Sequence, residues 1–146
     1  MNKIKEKYMS LYEIDGVSSE YLAIIERDLQ VKLPEDFREI AGYYSGGCMG
    51  YADVHSFRHS DPTNIIGETL RIRNAVGLPC KFVVISEQSE SIIVMDTENN
   101  PSIIWLDSVE ISKLGERNFI SKPDTWNSFS DFFEQLLADE EDERSY

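Results

Sequence analysis

Cysteine and histidine are scarce in this chain of 146 residues, with two of each. Two scattered thiols, Cys48 and Cys80, cannot build a disulfide framework. In a reducing compartment both are expected to be free, and both are expected to be buried as small apolar side chains. No apolar run approaches the roughly 20 residues of a membrane helix. The N-terminal segment MNKIKEKYMSLYEIDG is charged and holds no signal-peptide core, so a soluble, cytoplasmic protein is expected. No linker rich in Pro, Gly or Ser divides the chain, and there is no internal repeat. This length suits one domain with a core of its own.

Positive charge is also in short supply. Fourteen Lys and Arg face 27 Asp and Glu, for a net charge of −13. Each phosphate contact needs a cation, so nucleic acid is excluded as a partner, whereas a basic protein surface is favoured. The last eight residues, DEEDERSY, carry five acids and one Arg, so −4 of the charge is theirs and −9 belongs to the rest. This charge run has no apolar face and is expected to fray. The expected division is a single domain over 1–138 and a flexible acidic tail over 139–146.

What is present is a mixed set of helical and strand signals. A first helix is expected to start at Ser18 or Ser19, with Leu22, Ile25 and Leu29 facing the core. A second starts at Pro34, buries Phe37, Ile40, Ala41 and Tyr44, and is expected to stop at Gly46 and Gly47. Residues 48–57 fit either one strand or an irregular loop. Pro62 can open a helix that Ile66, Leu70 and Arg73 continue and that Gly77 and Pro79 end. Three runs rich in Val and Ile, 82–86, 91–95 and 102–106, predict an antiparallel meander joined by polar turns, buried on both faces or covered by helices. Phe129, Phe132, Phe133, Leu136 and Leu137 recur at i, i+3, i+4, i+7 and i+8, which predicts a core helix capped by Ser128. Burying those five side chains contributes on the order of 10 kcal/mol before conformational entropy is subtracted.

The chemistry-bearing residues form no catalytic or metal motif. His55 and His59 are four apart beside Asp53, but no HExxH glutamate lies between them, so no metal is expected. Gly46, Gly47 and Gly50 follow a helix and lack the lysine of a phosphate loop. No GxSxG is present, and neither cysteine lies in a nucleophile motif. The abundant acids fit a solvated face before they fit a glycosidase pair. Trp105 reads as core, and Trp126 as a staple at the start of the last helix. Tyr43, Tyr44 and Tyr51 flank the glycine loop, where they either pack in the core or anchor a partner.

The block LQVKLPEDFREIAGYYSGG (29–47) resembles the signature of the SUKH superfamily, also called the Smi/Knr family. Its Leu33-Pro34-Glu35-Asp36-Phe37 motif leads into a helix and then to the glycine pair Gly46-Gly47. The run FVVISEQSESIIVMDTENNPSIIWLD (82–107) resembles the family's central strands, with Asp96 at the matching acidic position. SFSDFFEQLL (128–137) resembles its C-terminal helix. The resemblance, over 18–137, implies an α+β fold with an antiparallel sheet flanked by helices, no catalytic residues and no cofactor. Many bacterial members are immunity proteins that neutralise a toxin domain, often a basic nuclease; others are non-enzymatic regulatory or scaffolding modules. An enzyme of unrecognised type is the third possibility. For a toxin interface the expected residues are the loop acids Asp53, Asp61, Glu87, Glu90 and Glu98, with Tyr44 and Tyr51 as aromatic anchors.

Overall fold

The computed structural model describes residues 2–116 and 119–145. It has the expected mixed α+β architecture, antiparallel sheets packed against helices. Two elements come before the SUKH-like block. Helix α1 (Lys3–Leu11) was not signalled by composition. The Asn2 side chain caps it by accepting the Ile4 and Lys5 N–H groups, and Tyr8 turns inward to meet Tyr43, Tyr44 and Phe133. Helix α2 (Ser19–Leu29) buries Leu22, Ile25 and Leu29, as its spacing predicts.

Helix α3 (Glu35–Ala41) follows Pro34 and buries Phe37, Ile40 and Ala41. It ends at Gly42, before the glycine pair expected to stop it. Its last carbonyl and one in the turn that follows are taken by another segment. The segment between α1 and α2 runs alongside, so that Val17 N–H donates to Ala41 C=O at 2.8 Å and Asp15 N–H to Tyr43 C=O at 3.0 Å. Gly16 makes this approach possible: a Cβ there would lie 2.2 Å from the Gly42 carbonyl.

The ambiguous stretch 48–57 contributes to an antiparallel hairpin, β1 (Gly47–Met49) and β2 (Ala52–Val54). Helix α4 (Ile65–Val76) starts at the Asn64 cap, beyond Pro62, and ends at Gly77. The predicted meander is β3 (Phe82–Glu87), β4 (Ser91–Asp96) and β5 (Ile103–Asp107). A short 3₁₀ helix (Ser108–Lys113) follows, then β6 (Asp124–Trp126), and the sheet order is β3-β4-β5-β6. Trp126 pairs with Ile103 in this added edge strand and rests its ring on Phe132. Trp105 is half-buried, with its indole N–H on Ser91 Oγ at 2.9 Å.

The sheet is buried on both faces, as its unbroken apolar runs imply. Val83, Ile85, Ile93, Met95 and Ile103 join the main core with α2, α3 and helix α5 (Phe129–Arg144). Phe82, Val84, Ile92, Val94, Ile104 and Leu106 form a second cluster with Ile72, Leu78, Ile111 and Leu114. Helix α5 buries all five predicted side chains, and Ser128 Oγ accepts the Asp131 N–H.

Two expectations are corrected here. The cysteines are exposed, because Cys48 lies on the outward side of β1 and Cys80 in the turn before β3. The acidic segment expected to fray from residue 139 continues α5 to Arg144; Tyr146 lies outside the described residues. Its charges find local partners. Glu140 accepts the Gly50 N–H at 3.1 Å and pairs with Arg144 at 2.8 Å, while Glu141 pairs with Lys7 at 3.1 Å. The Arg144 guanidinium sits 4.7 Å over the Tyr12 ring and donates to Leu11 C=O.

Candidate interaction surface

The hairpin β1–β2 lies against β3. His55 N–H donates to Ile85 C=O at 2.8 Å, and Ser86 Oγ donates to Asp53 C=O at 2.7 Å. This register sets exposed Asp53 beside Glu87 at the end of β3. Glu87 and Glu68 share the Arg71 guanidinium, so part of their charge is locally balanced. The next turn exposes Glu90, whose carbonyl accepts the Ser108 N–H, and the register of β5 puts Asp107 opposite Ser91 at the same end of the sheet.

His55 follows β2, within electrostatic range of Asp53, Glu68 and Glu87. Its Nε2 is buried without a hydrogen-bond partner among the described residues. Burial pulls its pKa below the usual histidine value, and the carboxylates of Glu68, Glu87 and Asp53 partly offset that shift.

On the other side of the hairpin, Asp53 pairs across the strands with Cys48. Cys48 lines an open cleft of about 450 Å³ with Tyr12, Glu13, Ile14 and Asp15. Asp15 is bridged by Arg58 at 2.7 Å, and Arg58 also holds Ser45 Oγ and Gly16 C=O. Glu13 and Asp15 at the cleft, Asp53 on the hairpin, and Glu87, Glu90 and Asp107 at one end of the sheet thus lie on successive elements of the fold.

The structure therefore brings together three of the seven expected residues, Asp53, Glu87 and Glu90. Asp61 is exposed on the loop before α4, where its carboxylate accepts the Ser56 hydroxyl. Glu98 stands at the opposite end of β4, in a turn whose N–H groups are capped by buried Asp96. Tyr51 is 69% exposed at the hairpin tip. Tyr44 is corrected: it is only 4% exposed, packs on Phe57 and Phe133, and donates its hydroxyl to Gly47 C=O. It supports the hairpin from within and lines the cleft beside Cys48.

Glu13, Asp15, Glu68 and Asp107 were not singled out by sequence. Their neighbourhood is created by long-range packing of the α1–α2 segment, α4 and β5, for which no local pattern exists. Among the described residues no group of three or more His, Cys, Asp or Glu side chains has a metal-binding arrangement, and no helix is long and apolar enough to cross a membrane.

No curated protein matches this chain in sequence. A family model described as SUKH_5, SMI1-KNR4 cell-wall, matches residues 1–138. That match takes in α1, the Leu-Pro-acid turn, the meander and the buried face of α5, and by it the chain belongs to the SUKH family.

Proposed function

We propose that this protein is an immunity protein, which binds a bacterial toxin domain in the cytoplasm and covers its active surface. SUKH proteins are commonly immunity proteins. The observation that carries the reading is the strip of carboxylates across the hairpin, on a molecule of net charge −13. A nuclease grips phosphates with a basic surface. An acidic inhibitor imitates that charge pattern and is steered to its target. The contact residues proposed are Asp53, Glu87 and Glu90 with Glu13, Asp15, Asp61 and Asp107, and Tyr51 as the aromatic anchor at the tip.

Growth rescue tests this directly. The C-terminal domain encoded by the neighbouring gene is expressed in a bacterium with and without the protein. Arrest without it and growth with it are expected. A domain that stays lethal despite abundant protein ends the immunity reading. The family's "cell-wall" description favours the second reading, a regulatory or scaffolding module without enzymatic activity, and a harmless neighbouring domain would select it.

A further inference from the structure

On the face of the four-stranded sheet that meets the main core, the cover runs out toward one end. The strand register pairs Ile103 with Trp126, Trp105 with Asp124, and Asp107 with Ser91. Residues two apart in a strand share a face. Along β5 burial therefore falls on this face from Ile103, fully enclosed, through half-buried Trp105 to exposed Asp107. On β6 it falls from half-buried Trp126 to exposed Asp124.

The chain has two tryptophans, and both are here. Their ring centroids lie 6.4 Å apart with a 34° tilt, and Trp126 leans on Phe132 of α5 at 5.0 Å. The Trp105 indole N–H donates to Ser91 Oγ at 2.9 Å, which fixes that ring. Asp124 is the direct cross-strand neighbour of Trp105, and the Cβ atoms of such a pair lie about 5 Å apart. The Asp107 carboxylate does not cap the 3₁₀ helix that follows it, and among the described residues neither Asp107 nor Asp124 has a side-chain hydrogen bond or ion pair. The chain's own cations rest over Tyr43, Phe82 and Tyr12; among the described residues none lies over a tryptophan.

We infer that this uncovered sheet face docks an arginine of a partner protein, with the guanidinium laid on the Trp105 ring and forked onto Asp124 or Asp107. Charge complementarity decides the occupant. Indole rings bordered by two carboxylates repel phosphate and attract a cation. A guanidinium is planar and weakly hydrated, so it stacks on a ring and bonds a carboxylate through two parallel N–H groups at once; the compact ammonium of lysine does neither as well. A tryptophan already held by its own hydrogen bond and by packing loses little freedom when covered, and tryptophan and arginine are both favoured where binding energy concentrates. The inference does not rest on the toxin reading: a peptide tests it, and growth rescue succeeds or fails whatever the peptide does.

The test is an NMR titration of the full chain with acetyl-Gly-Arg-Gly-Arg-Gly-amide, followed at the two indole N–H resonances and the Asp107 and Asp124 amides. The lysine and citrulline versions of the peptide and the sugar maltotriose serve as the other arms. Saturable shifts with the arginine peptide are expected, with weaker binding of the lysine version and no response to citrulline or maltotriose. Asp107→Asn and Asp124→Asn, which break no side-chain bond among the described residues, are each expected to weaken binding roughly fivefold. Glu98→Gln, at the opposite end of β4, is expected to leave it unchanged. Equal response to the citrulline or lysine peptide, response only to maltotriose, no saturable response, unchanged affinity in both aspartate variants, or an equal loss in Glu98→Gln overturns the assignment.

Discussion

The Asp36 carboxylate accepts the Ser130 N–H at 2.8 Å, joining α3 to the first turn of α5 across 94 residues of sequence. The aspartate of the Leu-Pro-acid motif is thus more than a local helix-start residue. It supplies an acceptor for one of the free amides at the start of another helix.

Replacing Asp36 with Ala is therefore expected to lower stability by about 1–2 kcal/mol, since a partly buried amide loses its charged acceptor. Asp36→Asn, which keeps a carbonyl oxygen there, is expected to lose less. Urea denaturation of the three proteins measures both, and equal midpoints would deny the tie any energetic role.

Gly50 turns the hairpin with φ of +61°, and a Cβ there would lie 2.8 Å from the Leu136 carbonyl. Gly50→Ala meets both backbone strain and a backbone clash, so a loss of about 2 kcal/mol or more is expected. Thermal unfolding checks this. A wild-type midpoint would mean that the hairpin is not seated on α5.

The partner's association rate is expected to fall as salt rises from low to physiological concentration, because exposed carboxylates steer through a screened field. Charge reversal at Glu87 and Glu90 together should slow association and flatten that dependence. Stopped-flow mixing with the toxin domain measures both, and unchanged rates remove these two residues from the interface.

His55 makes stability depend on pH. Its folded pKa lies below the unfolded value of 6.5, so the unfolded chain binds the proton more readily. Its contribution is present above about pH 6.5 and is lost as pH falls through that value toward the folded pKa. His55→Gln is expected to flatten the stability profile between about pH 7 and the point where carboxylates begin to titrate. An identical slope in the variant would show that His55 does not report on folding.

Shortening α5 by removing residues 139–146 is expected to lower the melting temperature and to loosen the hairpin. The deletion takes away the Glu140 acceptor for Gly50 and the Arg144 contacts to Leu11 and Tyr12. Faster hydrogen exchange at Gly50 is the specific readout.

Much of this fold was legible in the sequence where local pattern and burial coincide. The strands around Val84, Val94 and Ile104 announce themselves by β-branched runs, and α5 by its phenylalanine spacing. Positions governed by distant chain were harder to place. Helix α3 stops where Val17 takes the carbonyl of Ala41 and Asp15 that of Tyr43 beyond it, and no residue near Gly46 encodes that. Cys48 is outside because of which side of a three-residue strand it occupies. Tyr44 and Tyr51 look alike in sequence, yet one is core and the other is the tip of a hairpin. The acidic positions were half legible: Asp53, Glu87 and Glu90 by loop position, but Glu13, Asp15 and Asp107 only through long-range packing and pairing.

The closure of α5 over α1 sets an order of events during synthesis. Tyr8 leaves the ribosome well before Phe133, which packs on it from α5, and the Arg144–Leu11 bond spans 133 residues. At ordinary translation rates that interval is on the order of ten seconds. Throughout it the inner face of α1 has no α5 to rest on, and the Gly50 N–H has no Glu140 to bond. The inner face of α1 is therefore covered only after residues 129–144 have been made.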